Sequence, residues 1–434
     1  MDASLLKGVK LFYAKHETQN PKQSYLYAMK SFEVPIIYRS PLISAIKAKR
    51  KEMDKMKKDF TPTLLDFGSL QIYLARHFGF CYGVENAIEI AFRTVEENPG
   101  KRIFLLSEMI HNPQVNADLL AHGIQFIQDT SGKQVIPFEE INRDDIVLIP
   151  AFGTTLEIEE KLSRIGIQTE KYNTTCPFVE KVWNRSEVIA KKNYTIVIHG
   201  KPTHEETRAT FSHAAATGAC VIVKDLAEAK ELAKYITGEK NADEFYTEFR
   251  HQYSDGFDSK KDLLRIGVVN QTTMLASDTQ TIADFLKQVI LNTFNPEDTE
   301  ERFADTRDTL CYATNDNQAA VIGMLKTTAD LAIVVGGYNS SNTSHLVELC
   351  EENLPTFFIN NEEKIISDKT ILHHNFHTKE EIVIADYLPA KEPIKVLLTS
   401  GASCPDALVE GVINKLASFY QTKITIEQLT KYFQ

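Results

Sequence analysis

A chain of 434 residues, 43% of them apolar and with a formal charge of −11, has the length of about three domains and enough apolar content to bury a core in each. The acidic balance excludes nucleic acid as the main partner, because neutralising phosphates needs a basic surface. No apolar run approaches the roughly 20 residues of a membrane-spanning helix, and the N-terminus lacks the charged-then-apolar order of a signal peptide, so a cytoplasmic protein with no membrane partner is expected. In that reducing setting six cysteines point to metal or catalysis rather than to disulfides.

From the N-terminus, residues 1–70 show no strand, loop and helix repeat and read as an extension bearing one strongly basic helical run, Lys47 to Lys58. A short apolar strand over Leu70 to Leu74 leads to His77-Phe78-Gly79-Phe80-Cys81-Tyr82-Gly83-Val84, where a helix through Thr94 begins. From about Gln71 short apolar strands alternate with amphipathic helices, the pattern of a parallel sheet covered on both faces, so the fold class is α/β. Further strands are expected over Ile103 to Leu106, Ile146 to Ile149, Thr195 to Ile198, Ala219 to Val223, Ile266 to Val269, Leu331 to Val335, Thr356 to Ile359 and Lys395 to Leu398. Residues 237–261 are charged and aromatic-bearing without a strand signal, and read as a surface insertion.

Polar clusters follow these strands: Ile110-His111-Asn112-Pro113, Ala151-Phe152-Gly153-Thr154, His199-Gly200-Lys201-Pro202-Thr203-His204-Glu205-Glu206-Thr207, Asn270-Gln271-Thr272-Thr273, Asn339-Ser340-Ser341-Asn342-Thr343 and Gly401-Ala402-Ser403-Cys404. In open α/β sheets the C-terminal edge is where ligands bind, since loops there run into helix N-termini whose amides suit a phosphate.

Cys81, Cys176 and Cys311 each stand where a helix starts, one in each third of the chain, and free N–H groups and the helix dipole there favour a thiolate. Three such thiolates converging could hold zinc with an open fourth position, or an iron–sulfur cluster with one iron lacking a protein ligand. Cys220 and Cys350 lie inside apolar stretches and read as core, and Cys404 as packing. The Thr203-His204-Glu205-Glu206-Thr207 segment supplies an acid and an anion-binding donor on one reading, and an N-cap with ordinary first-turn carboxylates on the other. His111 is open to the same two readings.

With these loops in order, the chain resembles the 4-hydroxy-3-methylbut-2-enyl diphosphate reductase (LytB/IspH) family from about Leu74 to about Leu416. The resemblance rests on Gly79 to Val84, Ile110 to Asn112, Thr175-Cys176-Pro177, His204 to Thr207, Gln271-Thr272-Thr273, Cys311 to Thr314, Asn339 to Asn342 and Gly401-Ala402-Ser403. It implies three doubly wound α/β domains, 71–175, 176–308 and 309–434, in a pseudo-threefold trefoil around a central 4Fe-4S cluster. It implies Cys81, Cys176 and Cys311 as the three ligands, with the fourth iron open to substrate. The reaction implied is reductive dehydroxylation of the allylic diphosphate to isopentenyl and dimethylallyl diphosphate, with Glu206 as proton donor and Thr272 as its hydroxyl partner. His111, His204, Ser340, Ser341, Asn342 and Ser403 match the family's diphosphate-binding groups.

One departure bears on that shell: many members carry histidine-glycine where this chain has Phe152-Gly153, and a phenyl ring donates no hydrogen bond, leaving Lys201 or Thr154 as substitutes. The Lys47 to Lys58 run reads either as a solvated helix face or as a dock for an acidic electron donor such as ferredoxin or flavodoxin. Two rivals use the same residues: a zinc-dependent hydrolase or lyase of a phosphorylated metabolite, and a non-catalytic sensor, for which Glu206 and Thr272 would be superfluous.

Overall fold

A computed structural model describes residues 32–304 and 309–434, together with residues 10–11 and 28–29, which form a short antiparallel pair, β1 (Lys10–Leu11) and β2 (Ala28–Met29). Helix α1 (Pro41–Met53) starts because the Ser40 hydroxyl accepts from the Ile43 N–H and Pro41 fits the first turn. It buries Leu42, Ile43 and Ile46 and turns its cations outward, where Lys47 pairs with Asp406 at 2.7 Å and Arg50 with Asp59 at 3.0 Å. Beyond it, Lys57 pairs with Asp316 at 3.3 Å. Three cations of the basic run are thus paired within the chain, while Lys51, Lys55 and Lys58 are exposed, the last two beyond the end of the helix.

Strand β3 (Thr63–Asp66) buries Thr63 and Leu65 and runs antiparallel to β4 (Leu70–Leu74). Residues 36–66, expected within an extension, therefore contribute a helix and an edge strand to the core. A four-residue strand with Leu64 facing outward gives little alternation to read.

The first parallel sheet has the order β6-β5-β7, from β5 (Ile103–Leu105), β6 (Ile124–Phe126) and β7 (Ile146–Leu148), with α2 (Tyr82–Glu97), α3 (Pro113–Ala121) and α4 (Leu156–Ile165). The second, ordered β10-β8-β9, is built from β8 (Thr195–His199), β9 (Cys220–Val223) and β10 (Ile266–Asn270). Its helices are α5 (Pro177–Ala190), α6 (Glu205–Ala215), α7 (Leu226–Thr237), α8 (Ala242–Glu248) and α9 (Ala276–Phe294). Residues 237–261 correct the surface reading: Phe245, Phe249 and Phe257 are buried, and the segment runs along β9, with Gln252 and Ser254 bonded to Ile222 and Cys220. Aromatic side chains plug the core while the backbone covers an otherwise open sheet edge.

The third sheet follows α10 (Tyr312–Met324) and takes in β11 (Leu331–Val335), β12 (Thr356–Ile359) and β15 (Ile394–Ser400); α11 (Ser341–Glu351) joins β11 to β12, and a separate antiparallel hairpin of β13 (Thr370–Asn375) and β14 (Glu380–Ala385) lies between β12 and β15 in the chain. Helices α12 (Asp406–Ala417) and α13 (Ile426–Phe433) close the chain. Its order is β12-β11-β15-β4-β3, so the strand Leu70–Leu74, expected to begin the first unit, lies instead beside β15 in parallel register. Continuous apolar strands such as Leu331–Val335 are buried along their whole length, as strands covered on both faces must be. Among the described residues no helix is long and apolar enough to cross a membrane.

Candidate active site

Each of the three cysteines marks the place where the chain leaves one sheet for the next. Cys81 follows β4 of the third sheet and caps α2, whose Val84, Ala87 and Ile88 pack on the first sheet. Cys176 follows a segment bridged to Ile149 beside β7 and caps α5, whose Val182 and Ile189 pack on the second sheet. Cys311 follows Thr309, bonded to Asn270 at the end of β10, and caps α10, whose Ala320, Val321 and Met324 pack on the third. The backbone N–H of each is tied to a loop of the sheet being left: Cys81 to Ala402 at 3.1 Å, Cys176 to Ala151 at 2.9 Å and Cys311 to Thr272 at 3.3 Å.

The sulfurs are neighbours. A Cβ added at Gly83, in the first turn of α2, would stand 2.5 Å from Cys176 Sγ. Burial pushes all three thiols up, Cys311 to about 12, and the adjoining sulfurs add to the shift at Cys176 and Cys311. First-turn N–H groups oppose it, and the Thr314 N–H donates to Cys311 Sγ at 3.3 Å. Buried sulfurs that raise one another need a positive centre between them to act as thiolates, which is the chemistry of a metal-ligand set. A single tetrahedral zinc would need sulfurs about 3.8 Å apart, from a Zn–S bond of about 2.3 Å. Among the described residues no group of three His, Cys, Asp or Glu side chains fits one metal ion.

Beside the thiols, His204 caps α6, its Nδ1 accepting from the Glu206 N–H at 3.2 Å. Burial holds His204 well below the ordinary histidine range, and His111, Lys201 and Arg208 add to this. The ring is therefore neutral, with its proton on Nε2 as a donor. Glu206 Oε1 accepts from the Thr272 N–H at 2.5 Å. Burial pushes the Glu206 carboxyl up to about 7, against the opposing pull of the Thr272 N–H and hydroxyl and of His111. A carboxylic acid at that poise can hold or release a proton at neutral pH.

His111, after β5, lies flat on Phe152 with ring centroids 4.2 Å apart, and His204 meets it edge-on at 5.0 Å. Phe152 thus packs against both imidazoles, its ring edge-on to His204 with centroids 5.7 Å apart. Its neighbour Gly153 holds φ +76°, and a Cβ there would meet Trp183 at 2.5 Å, so this turn requires glycine. The backbone carbonyl of His111 accepts from Ser403 Oγ at 3.1 Å, which joins the third sheet's loop to the first.

Ser340 caps α11 by accepting from the Thr343 N–H, and Ser341 and Asn342 form the buried first turn. Asn342 Oδ1 accepts from the Ala402 N–H at 2.9 Å, while its buried Nδ2 has no hydrogen-bond partner among the described residues. A helix N-terminus with an unspent buried amide donor suits an anion. The expected site residues are thus brought to one place, at the meeting of three C-terminal sheet edges. Sequence reading missed Ser107 and Glu108 and gave Asn339 no role beyond its motif: Ser107 donates to Glu205, and Asn339 Nδ2 donates to Glu108 Oε2 at 2.8 Å. Ser107 and Glu108 follow a strand end, the one signal that could have found them.

Three sheets whose C-terminal loops meet around the cysteines and Glu206 make this an α/β protein with its candidate active site where the sheets join. It belongs to the LytB family, whose model, described as LytB protein, matches residues 72–417. The 4-hydroxy-3-methylbut-2-enyl diphosphate reductase of a Picosynechococcus sp. is 38% identical over 380 residues, covering 87% of this chain and 89% of the relative. The same-named protein of a Synechococcus sp. is 41% identical over 355 residues, covering 82% and 86%. In fold the chain is similar to the E-1-hydroxy-2-methyl-but-2-enyl-4-diphosphate reductase from Plasmodium falciparum, with a TM-score of 0.57 at 23% identity over 80% of this chain and 87% of that one.

Proposed function

We infer that this chain reduces 4-hydroxy-3-methylbut-2-enyl diphosphate to isopentenyl diphosphate and dimethylallyl diphosphate, the last step of the methylerythritol phosphate route. Two electrons and two protons enter and one water leaves. The observation that carries the reading is the cyclic placement of Cys81, Cys176 and Cys311, each at a crossing between sheets and each tied back to the sheet it leaves. That repetition supports a pseudo-threefold trefoil of three α/β units around a central 4Fe-4S cluster. Such a cluster, when bound, supplies single electrons and an iron free to take the substrate's hydroxyl. Relatives named as this reductase, 38–41% identical over more than four fifths of the chain, support this reading over a zinc hydrolase or lyase.

The remaining roles belong to the chain's own groups. Glu206, kept partly protonated by burial, gives the substrate's hydroxyl the proton with which it leaves as water, and Thr272 fixes the carboxyl's direction. The His204 Nε2–H, the Asn342 amide, the Ser341 N–H at the start of α11, and the Ser340 and Ser403 hydroxyls bind the diphosphate with His111. Oriented donors of this kind replace the positive surface that the acidic chain lacks. Phe152 supports the two imidazoles as an apolar wall rather than as a donor. Phe152→His should keep the stack on His111 and change KM by no more than about five-fold, as one exchanged hydrogen bond of about 1 kcal/mol allows. A loss beyond a hundred-fold in steady-state assay would mean that the pocket depends on the phenyl ring.

The reading is tested on anaerobically purified protein by iron, sulfide and zinc analysis, visible spectra with and without the allylic diphosphate, and turnover with reduced ferredoxin, flavodoxin and a small dye. About four iron and four sulfide per chain, a spectral shift on substrate, and formation of both products are expected. Colourless zinc protein without turnover would overturn the function. Turnover with dye alone would overturn only the protein donor.

A further inference from the structure

Glu205 is a carboxylate in an unexpected place. It is 7% exposed, one residue before the proton donor, and points at a ring assigned to an anionic substrate. Its Oε1 accepts from the Ser107 hydroxyl, and its Oε2 lies 3.1 Å from His111 Nε2. Among the described residues His111 is its one ion-pair partner, with no lysine or arginine in reach. A buried carboxylate beside an anion pocket would repel the ligand unless its charge is met on the way. The His111 ring stands between, and its Nε2 is taken by the carboxylate.

We propose that Glu205 is a positioning residue that holds His111 as an imidazolium whenever a diphosphate is bound. This rests on the diphosphate reading above and goes beyond it. With Nε2–H directed at Glu205, the ring can donate to a phosphate only through Nδ1, so both nitrogens must carry protons. The arrangement is that of a carboxylate behind a metal-bound histidine, where the carboxylate fixes the ring and raises its basicity, with a phosphate oxygen in place of the metal. The titratable groups facing the ring are Glu205, Glu206 and His204 from α6, and Glu108 from its own loop. Glu108 is itself held by Asn339, and burial raises its carboxyl, which leaves Glu205 as the direct partner. The stack on Phe152 keeps the ring in the plane that the two opposed bonds require.

The test is the inhibition constant of inorganic diphosphate, measured as a competitor of substrate with the cluster-loaded enzyme from pH 6 to 8.5, in wild type and Glu205→Gln. The glutamine keeps the size and the acceptor but not the charge, so the charged ring is held less well and diphosphate should bind up to about ten-fold more weakly. The ratio of variant to wild-type constants should grow with pH, from near one toward about ten, and the competitor's own titration cancels in it. A ratio that is flat with pH marks a merely structural role and overturns the proposal. If Glu205→Gln does not fold, His111→Gln decides. Its uncharged amide should bind worst relative to wild type at low pH, with the gap closing as pH rises, and a flat gap overturns the proposal. Wild type that reduces substrate but shows no competition by diphosphate sinks this inference alone, whereas wild type without reductase activity sinks the function beneath it.

Discussion

Glu206→Gln is expected to lower kcat by roughly 10²–10⁴, the worth of a positioned general acid, while KM stays within a few-fold. The amide keeps an oxygen where Glu206 Oε1 accepts from the Thr272 N–H at 2.5 Å, so position survives and only the proton is lost. The pH profile separates this from damage to the fold. Burial places the wild-type carboxyl at about 7, and the acid form does the work, so kcat should be level below pH 6 and fall about ten-fold per unit above pH 7. In the variant that limb should be absent. Stability should move the other way. A carboxyl raised by folding stabilises the protein below its unfolded pKa and loses that contribution as pH rises through about 7, so at pH 8 the buried charge works against the fold. The glutamine variant should then melt at or above the wild-type temperature at pH 8. A variant that melts no lower and retains kcat within three-fold would remove Glu206 from the proton path.

What the sequence shows and what it hides follow one physical division. Strands buried on both faces, such as Ile146–Leu148 and Leu331–Val335, announce themselves as apolar runs, and the polar residues after them announce a ligand edge. The partner a strand chooses is not local information: Leu70–Leu74 reads as a strand, but only its side chains against β15 put it in the third sheet. The aromatic segment 237–261 reads as surface because it is buried in a cluster with residues such as Val197 and Leu286, distant in sequence. At the candidate site, residues carried by short consecutive motifs stand out in the sequence, Cys81, Cys176, Cys311, Glu206 and Thr272 among them. Links across units were not: Glu205 to His111, and Asn339 to Glu108, join loops from different sheets and leave no spacing to read.

Gly83→Ala should cost the cluster and not the fold. In the first turn of α2 alanine is the better helix former by up to about 1 kcal/mol, so local propensity argues for a gain in stability. Gly83 has no positive φ, and backbone strain is therefore no objection. The obstacle is the neighbour across the domain junction: the new Cβ would lie 2.5 Å from Cys176 Sγ and 3.1 Å from its Cβ. Without cofactor the sulfur could swing aside by rotating about χ1. As a ligand of the proposed cluster it could not, because its Sγ would have to reach one centre together with those of Cys81 and Cys311. Protein purified without air should therefore carry roughly 10–100-fold less cluster-dependent activity, the cost of misdirecting a ligand, with iron and sulfide falling together. Its thermal midpoint with iron removed should match or exceed that of wild type treated alike. Cys176→Ser provides the reference, since it weakens the same ligand without touching α2. Full iron content and full turnover in Gly83→Ala would mean that the three sulfurs do not share one centre, and the cyclic placement of the cysteines would need another explanation.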